Sequence, residues 1–138
     1  MALKNDSTVW TFGNNDYGQL GAGNVPNSSV PQLMSSLTGI IAIDGGADYS
    51  LALKKDGTVW AWGYNSKGQL GNGTIVDSNI PVPVNTLTGI IAISAGFESS
   101  LALKSDGTVW AWGHNLGGLG NGKNTCLVQI QVDSIKVG

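Results

Sequence analysis

The sequence predicts an all-β fold of stacked four-stranded antiparallel sheets, and three observations predict it. First, Leu101 to Gly113 repeats Leu51 to Gly63 with one change, Ser105 for Lys55, and a looser copy, Ala2 to Gly13, opens the chain. Trp10, Trp60 and Trp110 keep a period of 50 residues, the mark of one structural unit used repeatedly. Second, apolar residues within each copy alternate with a period of two on both sides of a turn, the pattern of a β-hairpin. Third, the 21 glycines fall at fixed places of the period rather than in one run, which reads as turn chemistry.

Residues 1–138 form one repeat domain with units at about 1–38, 39–88 and 89–138. Each full unit opens on a β-branched run, Ile40-Ile41-Ala42-Ile43 or Ile90-Ile91-Ala92-Ile93, which predicts an inner strand. After a polar corner, Ser50-Leu51-Ala52-Leu53-Lys54 alternates as a strand. Asp56-Gly57, and Asp106-Gly107 in the next unit, make the turn, because both residue types tolerate positive φ. Val59-Trp60-Ala61-Trp62 returns, with Trp60 and Trp62 on one face and Val59 and Ala61 on the other. The Gly-rich stretch Tyr64 to Gly73 is a loop whose Leu70 turns back into the core. Ile80-Pro81-Val82-Pro83-Val84 is extended, and two prolines confine it to an outer edge.

Each unit is therefore a four-stranded antiparallel meander with apolar residues on both faces. Such a sheet must lie between two others, and stacking around an axis gives a β-propeller. A straight solenoid would need a coil rather than a meander in each unit. The prediction is a partial propeller of about three blades, completed by self-association.

Composition narrows the function. All seven basic residues are lysine and the net charge is −2, so direct nucleic-acid binding is not expected. Cys126 is the single cysteine, which leaves no intrachain disulfide and argues against a Cys-based metal site. No signal-peptide pattern or membrane-length apolar run stands in the sequence, which fits a cytoplasmic protein, or a piece of a longer chain.

The Asp106-Gly107-Thr108-Val109-Trp110-Ala111-Trp112-Gly113 stretch after Ser100-Leu101-Ala102-Leu103, with Asn65-Ser66-Lys67-Gly68-Gln69-Leu70-Gly71, resembles the repeats of the regulator of chromosome condensation family. The resemblance covers nearly the whole chain. It implies a propeller of roughly seven blades, one repeat per blade, and a protein that binds other proteins on one face of a ring. Members include an exchange factor for the small GTPase Ran that sits on chromatin, modules of ubiquitin ligases and a bacterial β-lactamase inhibitor. This sequence departs from the pattern in four ways. Tyr49 and Ser99 stand where the family often has histidine, and the loop Asn115-Leu116-Gly117-Gly118-Leu119-Gly120 is one residue short and lacks the glutamine of Gln19 and Gln69. No insertion supplies a wedge for nucleotide exchange, and three repeats are present, the first beginning after its inner strand. The near-identity of the second and third units fits recent duplication or design equally.

Several residues invite a chemical role and are better explained by structure. His114 has no triad partner and stands where Asn14 and Tyr64 stand in the other loops. Asn14-Asn15-Asp16, Asp56 and Asp106 lack the spacing of a calcium loop. Asn5-Asp6-Ser7, Asn27-Ser28-Ser29 and Asn72-Gly73-Thr74 fit the glycosylation pattern, which an Asn- and Ser-rich chain produces by chance. Trp60, Trp62, Trp110 and Trp112 could stack on sugars or bases, but fixed positions in a two-faced strand make them core. With Trp10, Gly57 and Gly107 they define the repeat.

No residue is assigned to catalysis, to a cofactor or to a metal, and the chain is expected not to be an enzyme. The predicted protein-binding loops are the corners carrying Asp48 and Tyr49, and Phe97 and Glu98, which vary while their flanks do not. The expected function is a protein–protein interaction scaffold. The alternatives are a structural module whose partner is itself and, third, an exchange factor for a small GTPase. Expected partners are a second copy joined head to tail or the rest of a longer chain, with another protein on one loop face and neither nucleic acid nor membrane. The tail Ile135-Lys136-Val137-Gly138 would reach toward the first unit of a second copy.

Overall fold

Three antiparallel sheets stack side by side in chain order. The computed structural model describes residues 1–114 and 125–132, and every regular element among them is a strand. The loop Asn115 to Gly120 and the tail Ile135 to Gly138 lie outside the described residues.

The first sheet holds β1 (Ala2–Leu3), β2 (Val9–Gly13) and β3 (Ser28–Leu33), in that order. The second holds β4 (Ile40–Gly45), β5 (Tyr49–Lys54), β6 (Val59–Gly63) and β7 (Ser78–Pro83). The third holds β8 (Ile90–Ala95), β9 (Ser99–Lys104), β10 (Val109–His114) and β11 (Thr125–Gln131). Both four-stranded sheets are meanders in sequence order, as the repeat pattern predicts. Their registers match position for position: Ala52 opposes Trp60 and Ala102 opposes Trp110. Ala2 opposes Trp10 in the same way, and among the described residues the first sheet holds three strands.

Alternation decides what each face buries. Leu51, Leu53, Val59 and Ala61 point to one side of the second sheet and pack with Ala102 and Trp112 of the third. Ala52, Trp62 and Trp60 point to the other side and pack with Val9, Met34 and Leu37. The second sheet is thus apolar on both faces because both are covered. Leu70 returns from its loop into the core beside Leu51 and is fully buried. The Pro-marked β7 is an edge strand, where a missing N–H costs no ladder bond.

The Gly-Gln-Leu-Gly loop has a steric reason. The backbone carbonyl of Gln69 accepts the indole Nε1–H of Trp112 at 2.8 Å, and that of Gln19 accepts Trp62 at 2.9 Å. A Cβ on Gly71 would stand 2.8 Å from Trp112 Cδ1, and Gly71 has φ +63°. Glycine is required there by both space and conformation.

Two expectations need correction. At the Asp-Gly turn only Gly57 takes positive φ, 82°. Lys54 to Gly57 is closed by a bond from Gly57 N–H to the Lys54 carbonyl, and the Asp56 carboxylate instead accepts the Thr58 N–H and hydroxyl at 3.0 and 2.6 Å. A turn followed by one left-handed glycine is the three-residue hairpin loop. His114, read as a loop residue, is the last residue of β10.

Candidate functional site

The two ends of the sheets differ in chemistry. One end carries the β5–β6 and β9–β10 turns with Lys54, Lys55 and Lys104 beside Asp56 and Asp106. The other, here called the loop end, gathers the β4–β5 and β8–β9 corners with the long loops after β2 and β6. Asp16, Asp48, Asp77 and Glu98 lie there with Lys67.

The two predicted corners meet: the Ala47 N–H donates to the Phe97 carbonyl at 3.1 Å. Phe97 is 78% exposed, which is unusual for a large aromatic side chain. Tyr17 and Tyr64, from neighbouring loops, stack with ring centroids 4.7 Å apart and planes tilted by 56°. Asp48 accepts a hydrogen bond from Gln19 Nε2 at 3.1 Å. Glu98, its counterpart one unit on, lies 2.8 Å from His114 Nδ1 instead. His114 is therefore half-buried against a carboxylate, a pairing that sequence spacing did not reveal.

Tyr49 is the predicted loop residue that the structure moves elsewhere. It is the first residue of β5 and only 2% exposed. Its odd position puts it on the same face as Leu51 and Leu53, toward the third sheet. Its hydroxyl donates to the Ser99 carbonyl at 2.6 Å and lies 2.9 Å from Ser100 Oγ. Burial, reinforced by the nearby Asp44 charge, pushes the phenol up to about 12. Tyr49 clasps two sheets and does not offer itself to a partner. Strand alternation carried that signal.

The other candidates are held locally. Asn14 and Asp16 bond each other, Asn15 Nδ2 donates to the Val25 carbonyl and Asn72 Oδ1 accepts from Thr74. Trp62 and Trp112 are fully buried. Among the described residues no three of His, Cys, Asp and Glu converge.

Stacked antiparallel meanders with a buried tryptophan on each interface define this chain as an arc of a β-propeller. The Regulator of chromosome condensation (RCC1) repeat matches residues 6–53 and 56–103, and a second profile of the same repeat matches 40–69 and 90–118. The chain belongs to the RCC1 repeat family. Human E3 ubiquitin-protein ligase HERC2 is 39% identical over 54 residues, which cover 38% of this chain and 1% of that protein. Human WBSCR16 superposes with a TM-score of 0.86 at 25% identity over 99% of this chain and 37% of that one. Prp20p of Saccharomyces cerevisiae, described with its binding to Gsp1p and histones, superposes with a TM-score of 0.85 at 21% identity, covering 99% and 36%. The chain thus spans little more than a third of the solved relatives' length.

Proposed function

We propose that this chain is a non-enzymatic protein-interaction module that takes its partner on the loop end. The observation that carries this reading is Phe97, 78% exposed on a corner hydrogen-bonded to the next one. Exposed aromatic groups ringed by polar ones suit protein recognition. The relatives support a protein partner: Prp20p is described with Gsp1p and histones, and also bound to Kap60. The loop end carries Asp16, Asp48, Asp77 and Glu98 against Lys67, a balance that favours a partner with a cationic surface.

The test titrates the chain with purified core histones, Gsp1p and Kap60. Saturable binding of at least one is expected, weakened about thirtyfold by Phe97→Ser with Tyr64→Ser and unchanged by Lys55→Ser at the opposite end. Binding of none, or loss through Lys55→Ser alone, would count against the reading.

A second reading, head-to-tail self-association, has its own observation. Leu101 is 41% exposed although its counterpart Leu51 is fully buried. At the opposite end of the arc Phe12, the counterpart of Trp62, is 45% exposed. The two open faces are of the same two kinds that mate inside the chain. Sedimentation across a hundredfold range of concentration distinguishes them: a mass that rises supports self-association, and a constant monomer mass removes it.

A further inference from the structure

Two glutamines hold the same place in successive loops, and their side-chain amides end differently. Gln19 Oε1 accepts the Tyr17 N–H at 2.9 Å, and Gln69 Oε1 accepts the Lys67 N–H at 2.9 Å. Each backbone carbonyl takes a tryptophan of the next unit. The two side chains therefore start alike, and the backbone N–H fixes which end of each amide is the oxygen. Gln19 Nε2 then donates to Asn14 Oδ1 at 3.0 Å and to Asp48 Oδ1 at 3.1 Å. Gln69 Nε2 is buried and has no partner among the described residues, a costly state for a donor.

Both acceptors have been replaced. Tyr64 stands in the place of Asn14 and stacks on Tyr17. Glu98 stands in the place of Asp48, on a corner tied in the same way. The Asp48 carbonyl accepts the Tyr64 N–H and the Glu98 carbonyl accepts the His114 N–H, both at 2.9 Å. This corner stays close to Gln69, since a Cβ on Gly113 would stand 2.5 Å from the Glu98 carbonyl oxygen and 3.2 Å from Gln69 Cα. The Glu98 carboxylate lies instead 2.8 Å from His114 Nδ1, with both side chains largely buried.

We infer that Glu98 is a carboxylate with two seats, and that the proton on His114 chooses between them. A charged imidazole holds the carboxylate by a charge-assisted bond, which outweighs the unpaired amide of Gln69. A neutral imidazole loses that advantage, and Glu98 turns to Gln69 Nε2 as Asp48 turns to Gln19. Histidine changes charge between about pH 5 and 8, so the corner that carries Phe97 is anchored differently at the two ends of that range. The other ionisable side chains on the surrounding elements are Lys67 and Tyr64 on the β6–β7 loop, Asp48 and Tyr49 at the preceding corner, and Asp44 on β4. Asp48 is bound to Gln19, Asp44 to the Ala95 N–H and Tyr49 to the Ser99 carbonyl. Among the described residues none of them forms an ion pair with Glu98 or His114.

The test is a nuclear magnetic resonance titration of the full isotope-labelled chain between about pH 5 and 8. As the His114 ring loses its proton, the Gln69 side-chain amide protons are expected to move downfield toward those of Gln19. The Glu98 carboxyl carbon should move with the same midpoint, while the Gln19 amide stays in place. His114→Ala should hold the Gln69 amide at its high-pH position throughout, and Glu98→Ala should hold it at its low-pH position. Neither side chain belongs to an apolar cluster, and circular dichroism checks that both variants keep their sheets. The unaltered chain decides the matter by itself if either variant fails to fold. The two seats are disproved if the Gln69 amide does not move with the ring, if it moves as much in Glu98→Ala, or if at about pH 5 it already stands where the Gln19 amide stands.

Discussion

Trp62 of the second sheet donates its indole proton to the backbone carbonyl of Gln19 in the first unit, 2.9 Å away. The bond recurs between Trp112 and Gln69 at 2.8 Å. Each repeat therefore closes on its predecessor through a buried, directional bond at the centre of an apolar interface. Such bonds set how two sheets register, because an unpaired indole N–H in that position would be costly.

Trp62→Ala should destabilise the chain by about 3–5 kcal/mol, through lost burial and the cavity left behind. Trp62→Phe keeps most of the ring and removes the donor, so its cost should be smaller by about half. Chemical denaturation followed by circular dichroism measures both. Equal costs would mean that packing alone holds the interface.

Gly57 and Gly107 hold the same turn with φ of 82° and 86°. A Cβ on Gly57 would stand 3.0 Å from Gly89 N and 3.1 Å from its Cα, whereas a Cβ on Gly107 meets nothing within 4 Å. Gly107→Ala should cost about 1–2 kcal/mol from left-handed strain alone. Gly57→Ala should cost more, because backbone must shift as well. Paired melting curves decide the order.

Tyr49→Phe separates ionisation from packing. The folded phenol titrates at about 12 against an ordinary value of 10.0, so the unfolded chain gives up its proton first. Stability from this group is complete below pH 10 and is lost as pH rises toward 12. The unaltered chain should lose stability across that window more steeply than Tyr49→Phe. Denaturation midpoints at pH 9, 10 and 11 test the slope.

The turn aspartates answer to acid. Hydrogen bonds from the Thr58 hydroxyl and N–H hold the Asp56 carboxyl below its ordinary value, and Thr108 does the same for Asp106. Their stabilisation is present above the ordinary carboxylate value and is lost as pH falls through the lowered one. Carbon-detected titration should show Thr58→Val returning Asp56 toward that ordinary value while Asp106 stays put.

Leu51→Ala should cost about 2–5 kcal/mol. Leu101→Ala, in the same local sequence, should cost well under half of that in the monomer, since Leu101 is already 41% exposed. Near-equal costs in dilute monomer would show that this face is covered.

Much of the fold is legible in the letters. The period in Trp10, Trp60 and Trp110 sets the units, and alternation assigns Val59 and Ala61 to one face and Trp60 and Trp62 to the other. The prolines of β7 mark an edge, and Leu70 is recognisable as a core plug. The site is less legible. Tyr49 reads as a corner residue because polar and small neighbours precede it; its strand parity, which buries it, matters only once a third sheet stands opposite. The His114–Glu98 pair joins the end of one strand to a corner 16 positions earlier, and no local rule links them. Phe97 reads as a binding residue from its variable corner, and it does lie exposed on the loop end.

The sequence by itself determined the repeating meander, because strand alternation, turn glycines and edge prolines act over a few neighbouring residues. Tertiary structure alone decided which copy of a repeated residue is core. Leu51 and Leu101 share their flanking residues, yet one is sealed and the other 41% open. The physical reason is that burial belongs to the sheet lying opposite a side chain, and a stacked fold supplies that sheet from elsewhere in the chain or from outside it.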